Sequence, residues 1–369
     1  MKKLLKMFIA TLLISCLILS FNLPAGAHDL YIKITNGFNL DGSTNGQRLP
    51  LGATIHHFNN GKTEVRDSNN YLILTTNDSE AGLVTTPEGA MKANHVYHVP
   101  DGTYINHVGD NLKCYINNRL ILTIIDTPTN RVIPNNPRPH VTNNPIHDNV
   151  ESAIQIISPD TFNANWICPS NPPQPSPYIT NYLWNGIEAE LSSNHSFVGL
   201  IQPVLMWHQN GTNTWTGAAW YVYHDGNIDG SVESPDCPVS SGDSCSGNMH
   251  YNSYNNWEIT FYNNTSHLLR GLIVSTSIIP TPGPDMTNYE LITLETFDFS
   301  GSQNPYVTNG MLPGTTTFNG IVLTKYGQNI NSNWIADYPY LRQHDFSNLT
   351  NLSVTWSGNT LVTLHTGNP

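Results

Sequence analysis

Charged side chains are scarce in this chain of 369 residues. Asp, Glu, Lys and Arg make up only 11% of it, and acidic residues outnumber basic ones, for a formal net charge of −12 at pH 7. Binding to nucleic acid requires a basic surface that neutralises phosphates. The charge balance therefore argues against a nucleic-acid partner.

Motifs of metal and cofactor chemistry are also missing. The sequence contains no CxxC pair and no HExxH motif, and its 15 histidines are scattered. These absences favour a protein without a bound metal or other cofactor. No Gly-x-Ser-x-Gly motif occurs either, which argues against a serine hydrolase.

A long apolar stretch occurs only at the N-terminus. Lys2 and Lys3 precede the apolar residues 12–21, and the small residues at 25–27 complete the pattern of a cleaved signal peptide. We therefore predict a signal peptide over residues 1–27 and a secreted or periplasmic protein without a membrane span. The alternative is a lipoprotein signal, in which Cys16 would carry the lipid.

Helical periodicity is nearly absent, whereas strand and turn signals are frequent. The chain has 27 glycines and 25 prolines, and short runs of apolar and β-branched residues lie between them. About ten such runs follow residue 150 without helical connections. This pattern predicts an antiparallel sandwich or barrel.

Prolines concentrate between residues 127 and 149, which predicts a linker, because proline interrupts both helices and central strands. The mature chain is thereby divided into a small N-terminal β domain at 28–126, the linker at 127–149 and a β-sandwich at 150–369. Two readings of the N-terminal domain stay open: a permanent domain, or a prosegment that is cleaved off in the linker.

Four cysteines remain after the signal peptide: Cys114, Cys168, Cys237 and Cys245. Exported proteins are the ones in which disulfides form and persist. Because Cys237 and Cys245 flank a short, turn-rich loop, we predict a disulfide between them. The pairing of Cys114 and Cys168 stays open.

Five motifs in the C-terminal half resemble one known family. They are WNGIE at 184–188, LIQ at 200–202, AWYVYH at 219–224, GDS at 242–244 and TNYELI at 287–292. In this order and spacing they resemble the glutamic peptidases (eqolisins). The resemblance covers about residues 150–357.

The resemblance implies both a fold and a chemistry. The fold is an all-β, antiparallel concanavalin A-like β-sandwich of the jelly-roll type, here preceded by the small β domain. The chemistry is acid endopeptidase activity on a polypeptide substrate, with Gln202 and Glu290 as the catalytic pair. A monomer without metal or cofactor is expected. The side chains expected to bind substrate are Trp184, Glu188, Trp220 and Tyr221.

A glutamine and a glutamate suit peptide hydrolysis. The carboxylate of Glu290 would accept a proton from the attacking water and return it to the leaving amine. The neutral amide of Gln202 would donate a hydrogen bond to the developing oxyanion at any working pH.

Several acidic positions of the family are apolar in this sequence. Met206, Ala218 and Val222 stand where the family has carboxylates, and a second glutamate is displaced by one residue to Glu295. Since side chains alternate along a strand, Glu295 should face away from Glu290. The alternative function is therefore a catalytically inactive, secreted β-sandwich that binds peptide or carbohydrate.

Cleavage after Ala27 gives a direct test of export. N-terminal sequencing of the secreted or periplasmic protein should read His28-Asp29-Leu30, because the small residues at 25–27 fit the cleavage rule. A lipid-modified Cys16 at the mature N-terminus would instead support the lipoprotein alternative.

Overall fold

The computed structural model describes residues 34–41, 46–87, 89–127, 146–155, 158–192, 197–208, 211–224, 229–252, 256–276, 279, 286–300, 307–330, 334–336 and 349–368. Within these ranges the chain is almost entirely β, with two short 3-10 turns at Ala93–His95 and Asn309–Met311. The signal peptide at 1–27, Cys16 and most of the linker at 127–149 lie outside the described residues. In the described part of the chain, no helix is long and apolar enough to cross a membrane.

The strands are numbered in chain order. They are β1 (Phe38–Asn39), β2 (Gln47–Arg48), β3 (Ala53–His57), β4 (Lys62–Arg66), β5 (Leu72–Asn77), β6 (Leu83–Thr86), β7 (Gly89–Lys92), β8 (Val96–His98), β9 (Thr103–Val108), β10 (Asn111–Ile116), β11 (Arg119–Asp126), β12 (Ile146–Gln155), β13 (Thr161–Ile167), β14 (Ile179–Leu191), β15 (Phe197–Trp207), β16 (Trp215–His224), β17 (Asp229–Glu233), β18 (Cys237–Val239), β19 (Ser244–Tyr251), β20 (Trp257–Asn263), β21 (Leu268–Thr276), β22 (Met286–Asp298), β23 (Thr316–Lys325), β24 (Gln328–Asn329), β25 (Ile335–Ala336), β26 (Ser353–Ser357) and β27 (Leu361–His365).

Two large sheets carry most of these strands. One has 11 strands and runs β2-β1-β8-β17-β16-β15-β14-β22-β12-β25, with β18 paired to β16. The other has 14 strands and runs β26-β27-β23-β13-β19-β20-β21-β9-β10-β11-β3-β4-β5, with β24 paired to β23. The hairpin β6–β7 forms a separate two-stranded sheet. The all-β sandwich expected from the sequence is confirmed.

Close contacts between the two large sheets define the inner face of each. A Cβ added to Gly217 on β16 would lie 2.1 Å from the ring of Phe261 on β20, so a side chain has no room there. Asn185 on β14 donates from Nδ2 to the carbonyl of Gly247 on β19 at 3.3 Å. Residues of the 11-stranded sheet that point towards the other sheet are called inner-face residues below, and the others are outer-face residues.

The N-terminal strands extend both large sheets. Strand β8 pairs in parallel with β17, and β9 pairs in parallel with β21, so the described residues 34–126 share the core of the sandwich. This differs from the separate small domain expected at 28–126. Apolar periodicity identifies strands within a segment but does not reveal which sheet edge they join. The independence of residues 150–369 and the removal of a prosegment stay predictions.

The predicted disulfide between Cys237 and Cys245 is not formed in this structure. Cys114, Cys168, Cys237 and Cys245 are all buried free thiols. Cys237 lies on β18 of the 11-stranded sheet, whereas Cys245 lies on β19 of the other sheet. Each thiol instead lies against backbone carbonyls, with Cys237 Sγ 3.9 Å from Leu268 O and Cys245 Sγ 3.8 Å from Asp243 O. A short loop in sequence therefore does not bring the two sulfurs into bonding position.

Deletion of the N-terminal strands tests this architecture. A chain that begins at residue 146 loses β8 and β9, which leaves the backbone groups of β17 and β21 unpaired at two new sheet edges. We expect a protein that aggregates on size-exclusion chromatography and unfolds at a lower temperature than the full mature chain. A monomeric fragment with unchanged thermal stability would contradict the shared core.

Candidate functional site

The candidate site lies on the outer face of the 11-stranded sheet, where β14, β15 and β16 run side by side. Gln202 on β15 pairs with Trp220 on β16. On its other side Gln202 faces Gly186 of β14, since a Cβ added to Gly186 would lie 3.2 Å from the Gln202 Cβ. Paired residues of neighbouring strands point to the same side of a sheet. Gly186, Gln202 and Trp220 therefore form one transverse row on the outer face.

Gly186 provides the space for the indole ring of Trp184. A Cβ at residue 186 would come within 2.7 Å of Trp184 Cζ3, a distance at which the ring would have to move. The ring is fixed at its other edge, where Trp184 Nε1 donates to Glu295 Oε2 at 2.8 Å. Trp184 thus lies over the sheet between Gln202 and Glu295.

The amide group of Gln202 is buried without a partner. The residue is 0% exposed, and neither its Nε2 nor its Oε1 has a hydrogen-bond partner among the described residues. An unsatisfied buried polar group costs about 1–3 kcal/mol of folding free energy. A fold that keeps such a group in place offers a donor and an acceptor to a bound molecule.

Glu188 is an outer-face carboxylate next to Gln202. It follows Gly186 by two residues on β14 and is only 2% exposed. Diagonal neighbours on adjacent antiparallel strands lie about 7 Å apart, within the reach of two long side chains. We call Trp184, Glu188, Gln202 and Trp220 the outer-face site.

Glu290 lies on the opposite face of the sheet from Gln202. On β14, Ile187 pairs with both Glu290 of β22 and Ile201 of β15, so these three residues share one side. That side is the inner face. Glu290 Oε1 accepts a hydrogen bond from the backbone N–H of Ser158 at 2.9 Å, in the segment that leads from one sheet to the other. The structure therefore does not bring Gln202 and Glu290 together.

Tyr221 also lies away from the outer-face site. Its hydroxyl hydrogen-bonds to His107 Nδ1 at 2.6 Å and to Thr276 Oγ1 at 3.2 Å, both on strands of the other sheet. The other three expected substrate-binding residues, Trp184, Glu188 and Trp220, share the outer face with Gln202. The motifs identified the strands of the site. They did not identify the face of the sheet, because neighbouring residues of a strand point to opposite faces.

A buried acidic group beyond Trp220 was missed by the sequence reasoning. Glu233 on β17 pairs with Trp220 and continues the transverse row. Its Oε2 lies 2.9 Å from Nδ1 of His98, which belongs to the N-terminal strand β8. Burial lowers the pKa of His98, but the hydrogen bond and charge of Glu233 outweigh it, so the pKa is raised overall. No motif surrounds either residue, and they are 135 positions apart (233 − 98).

Asp236 adds a second carboxyl group near Glu233. Burial, reinforced by the negative charge of Glu233, raises the pKa of Asp236 to about 7. Its Oδ1 is buried and has no hydrogen-bond partner in the described part of the chain. Asp236 is therefore protonated in acid and can then donate a hydrogen bond.

The described residues contain no group of three or more His, Cys, Asp or Glu side chains arranged to hold a metal ion. The chemistry of the outer-face site is that of a carboxyl group, a carboxamide and two indoles. These groups can position a water molecule and a carbonyl, transfer a proton and donate to an oxyanion.

Comparison with solved structures finds chains of low sequence identity. A scytalido-glutamic peptidase with a transition-state analogue inhibitor is 16% identical, with 60% of this chain and 98% of that chain covered and a TM-score of 0.40. The aspergilloglutamic peptidase from Aspergillus niger is 18% identical, with 51% and 98% covered and a TM-score of 0.33. A Bacillus licheniformis beta-glucanase is 13% identical, with 39% and 65% covered and a TM-score of 0.21.

No family model matches the chain, and no curated protein matches it.

The raised pKa of Asp236 predicts a loss of stability with rising pH. The folded state holds this proton more tightly than the unfolded chain, in which an aspartate titrates near about 3.9. Its contribution to the free energy of unfolding is therefore present below pH 4 and is lost as the pH rises towards 7. In Asp236→Asn the difference in unfolding free energy between pH 4 and pH 8 should change by roughly 2 kcal/mol relative to wild type, after allowance for partial exposure.

Urea unfolding of both proteins at each pH measures this difference. Glu258→Gln, at an exposed carboxylate on β20, serves as the control and should follow the wild type. Parallel pH profiles of Asp236→Asn and wild type would show that the carboxyl titrates in its ordinary range.

Proposed function

We propose that this protein is an exported endopeptidase that hydrolyses peptide bonds on the outer face of its 11-stranded sheet, with Gln202 and Glu188 as the reacting side chains. The observation that carries the proposal is the Gln202 amide, which is fully buried and without a partner in the described residues. It lies beside a carboxylate on the same face. The motif resemblance supports a polypeptide substrate and an acidic pH range for the reaction.

In the proposed reaction, Glu188 accepts a proton from a water molecule, and the water oxygen attacks the carbonyl carbon of the scissile bond. The negative charge that develops on the carbonyl oxygen is stabilised by the N–H donors of Gln202. Glu188 then returns the proton to the nitrogen of the leaving amine as the C–N bond breaks. The amide of Gln202 does not ionise at any working pH, so it remains a donor throughout.

The two indoles give this site its apolar walls. Trp184 and Trp220 are both buried, and each lies beside Gln202 on the outer face. Exclusion of water lowers the local dielectric and strengthens the hydrogen bond between an amide donor and an oxyanion. The bond from Trp184 to Glu295 fixes one wall in position.

Substitutions of Glu188 and Glu290 should have different effects on cleavage, because the two carboxylates lie on opposite faces of the 11-stranded sheet. Glu188→Gln should reduce cleavage at least about 100-fold, as expected for loss of a general acid–base. Glu290→Gln should retain most activity, because its carboxylate faces the inner side and bonds to the Ser158 N–H. Fragments of a denatured protein substrate, incubated between pH 2 and 7 with pepstatin present, are read by mass spectrometry.

The variant Gln202→Leu distinguishes a functional role of the amide from a structural one. Removal of the unsatisfied amide should raise the free energy of unfolding by about 1–3 kcal/mol while abolishing cleavage. Loss of activity in Glu290→Gln together with full activity in Glu188→Gln would transfer the catalytic role to the inner face and refute the proposal.

One observation favours a second candidate, the inactive β-sandwich that binds peptide or carbohydrate. Gln202 and Glu290 do not meet, and the neighbours of Trp220 on the outer face, Ala218 and Val222, are apolar. A wild-type protein that cuts no substrate between pH 2 and 7, yet binds peptide or glycan, would establish this candidate instead.

A further inference from the structure

We propose that two copies of this chain form a two-fold symmetric dimer in which β26 pairs antiparallel with β26 of the second copy. The inference goes beyond the proposed function and does not depend on it, because β26 belongs to the 14-stranded sheet and the outer-face site lies on the other sheet. It differs from the monomer that the family resemblance implies.

Strand β26 forms one edge of the 14-stranded sheet. In the described part of the chain, its only strand partner is β27. Alternate residues of an edge strand direct their N–H and C=O groups away from the sheet, where a further strand can bind them. Four of the five residues of β26 are exposed and Val354 is half-buried, so this edge is open to solvent.

The usual protections of a sheet edge are missing from β26. Edge strands are commonly kept from pairing by charged side chains, by proline or by a bulge. Residues 349–364 include no charged residue and no proline. The register with β27 is also unbroken from Ser353 to Ser357, so no bulge twists the edge away. Such an edge is a template for another strand.

Trp356 carries the apolar core side of the sheet beyond its last covered strand. Val354 pairs with Leu364 of β27, and Trp356 pairs with Val362. Leu364 and Val362 are both 0% exposed, so Val354 and Trp356 lie on the core side of the sheet. Trp356 is nevertheless 41% exposed. A strand added beside β26 would cover its indole.

The sequence of β26 is complementary to itself, which indicates a second copy of the chain as the added strand. Antiparallel pairing centred on Thr355 places Thr355 opposite Thr355, Ser353 opposite Ser357 and Val354 opposite Trp356. Pairs of hydroxyl residues, and a β-branched residue against an aromatic ring, are favourable cross-strand pairs. The two-fold axis passes between the two Thr355 residues, and each copy contributes the same surface, as a closed dimer requires.

The size of the contact implies a weak dimer. Two five-residue strands bury much less surface than the roughly 1,200–2,000 Å² of a standard protein interface. We therefore expect a dissociation constant on the order of 10 µM for the full mature chain. Sedimentation velocity over a range of protein concentrations that spans this value measures it.

Substitutions at the symmetry axis distinguish strand pairing from folding. Thr355→Lys places two like charges opposite each other and should weaken dimerisation at least about 10-fold. Thr355→Val removes the same hydroxyl, whose Oγ1 lies 2.8 Å from His365 Nε2, but adds no charge, so it should dimerise like wild type. Thr123→Lys, on the interior strand β11 of the same sheet, controls for the added charge and should also dimerise. Thermal unfolding, followed by circular dichroism, checks that each variant is folded.

Cross-linking tests the register of the pair. Thr355→Cys should form a disulfide between two copies when oxidised glutathione is added, because paired residues of antiparallel strands have Cα atoms about 4.5–5.5 Å apart. Ser353→Cys alone should not, because its two copies would lie about 13 Å apart along the strands. A mixture of Ser353→Cys and Ser357→Cys should cross-link. The four native thiols are buried, and non-reducing gel electrophoresis reads the products.

The dimer and the proposed hydrolysis can fail separately. A dimer with these properties in a protein that cleaves no substrate supports the inference and counts only against the peptidase. A protein that stays monomeric at every concentration overturns the inference, also if an extended peptide binds at β26 instead. A dimer that Thr355→Lys leaves intact, or cross-linking of Ser353→Cys alone, overturns it as well.

Discussion

The register of β14 between β15 and β22 is the constraint on which the arrangement of the site depends. Because side chains alternate along a strand, this single alignment decides which of the polar residues on three neighbouring strands can meet. It places Gly186 beside Gln202 and Ile187 beside Glu290. A residue of the expected chemical type at a motif position is therefore not sufficient, because a residue one place along the strand lies on the opposite face of the sheet.

The fold class and the strands of the site follow from the sequence. Which polar residues share a face of the sheet does not. The runs around Trp184, Gln202 and Trp220 predict three strands, and these strands are neighbours in the sheet. Alternation predicts that Glu295 and Glu290 diverge, and Glu295 indeed lies with Trp184 on the outer side. The position of Glu290 relative to Gln202 needs the register of two strand pairs, which depends on long-range packing.

No local sequence pattern indicated that strands of the N-terminal region would join the two large sheets. His98 meets Glu233 because β8 joins β17 in parallel, a pairing between segments far apart in the chain. Composition and proline content divide the chain at residue 127, but they report only on local backbone preferences. Shared burial across that boundary arises from sheet edges that would otherwise expose unpaired N–H and C=O groups. The same reasoning applies to Cys237 and Cys245, which are close in sequence but lie on strands of different sheets.

The parallel junctions of β8 with β17 and of β9 with β21 also constrain how the protein reaches its native state. The two junctions cannot both form until the chain has been synthesised beyond residue 276, because β17 ends at Glu233 and β21 ends at Thr276. Pairing over such sequence separations requires costly loop closure and makes folding slow. Slow closure keeps the chain unfolded for longer, which would suit the export that we propose. It also prolongs the time in which unpaired strand edges can aggregate.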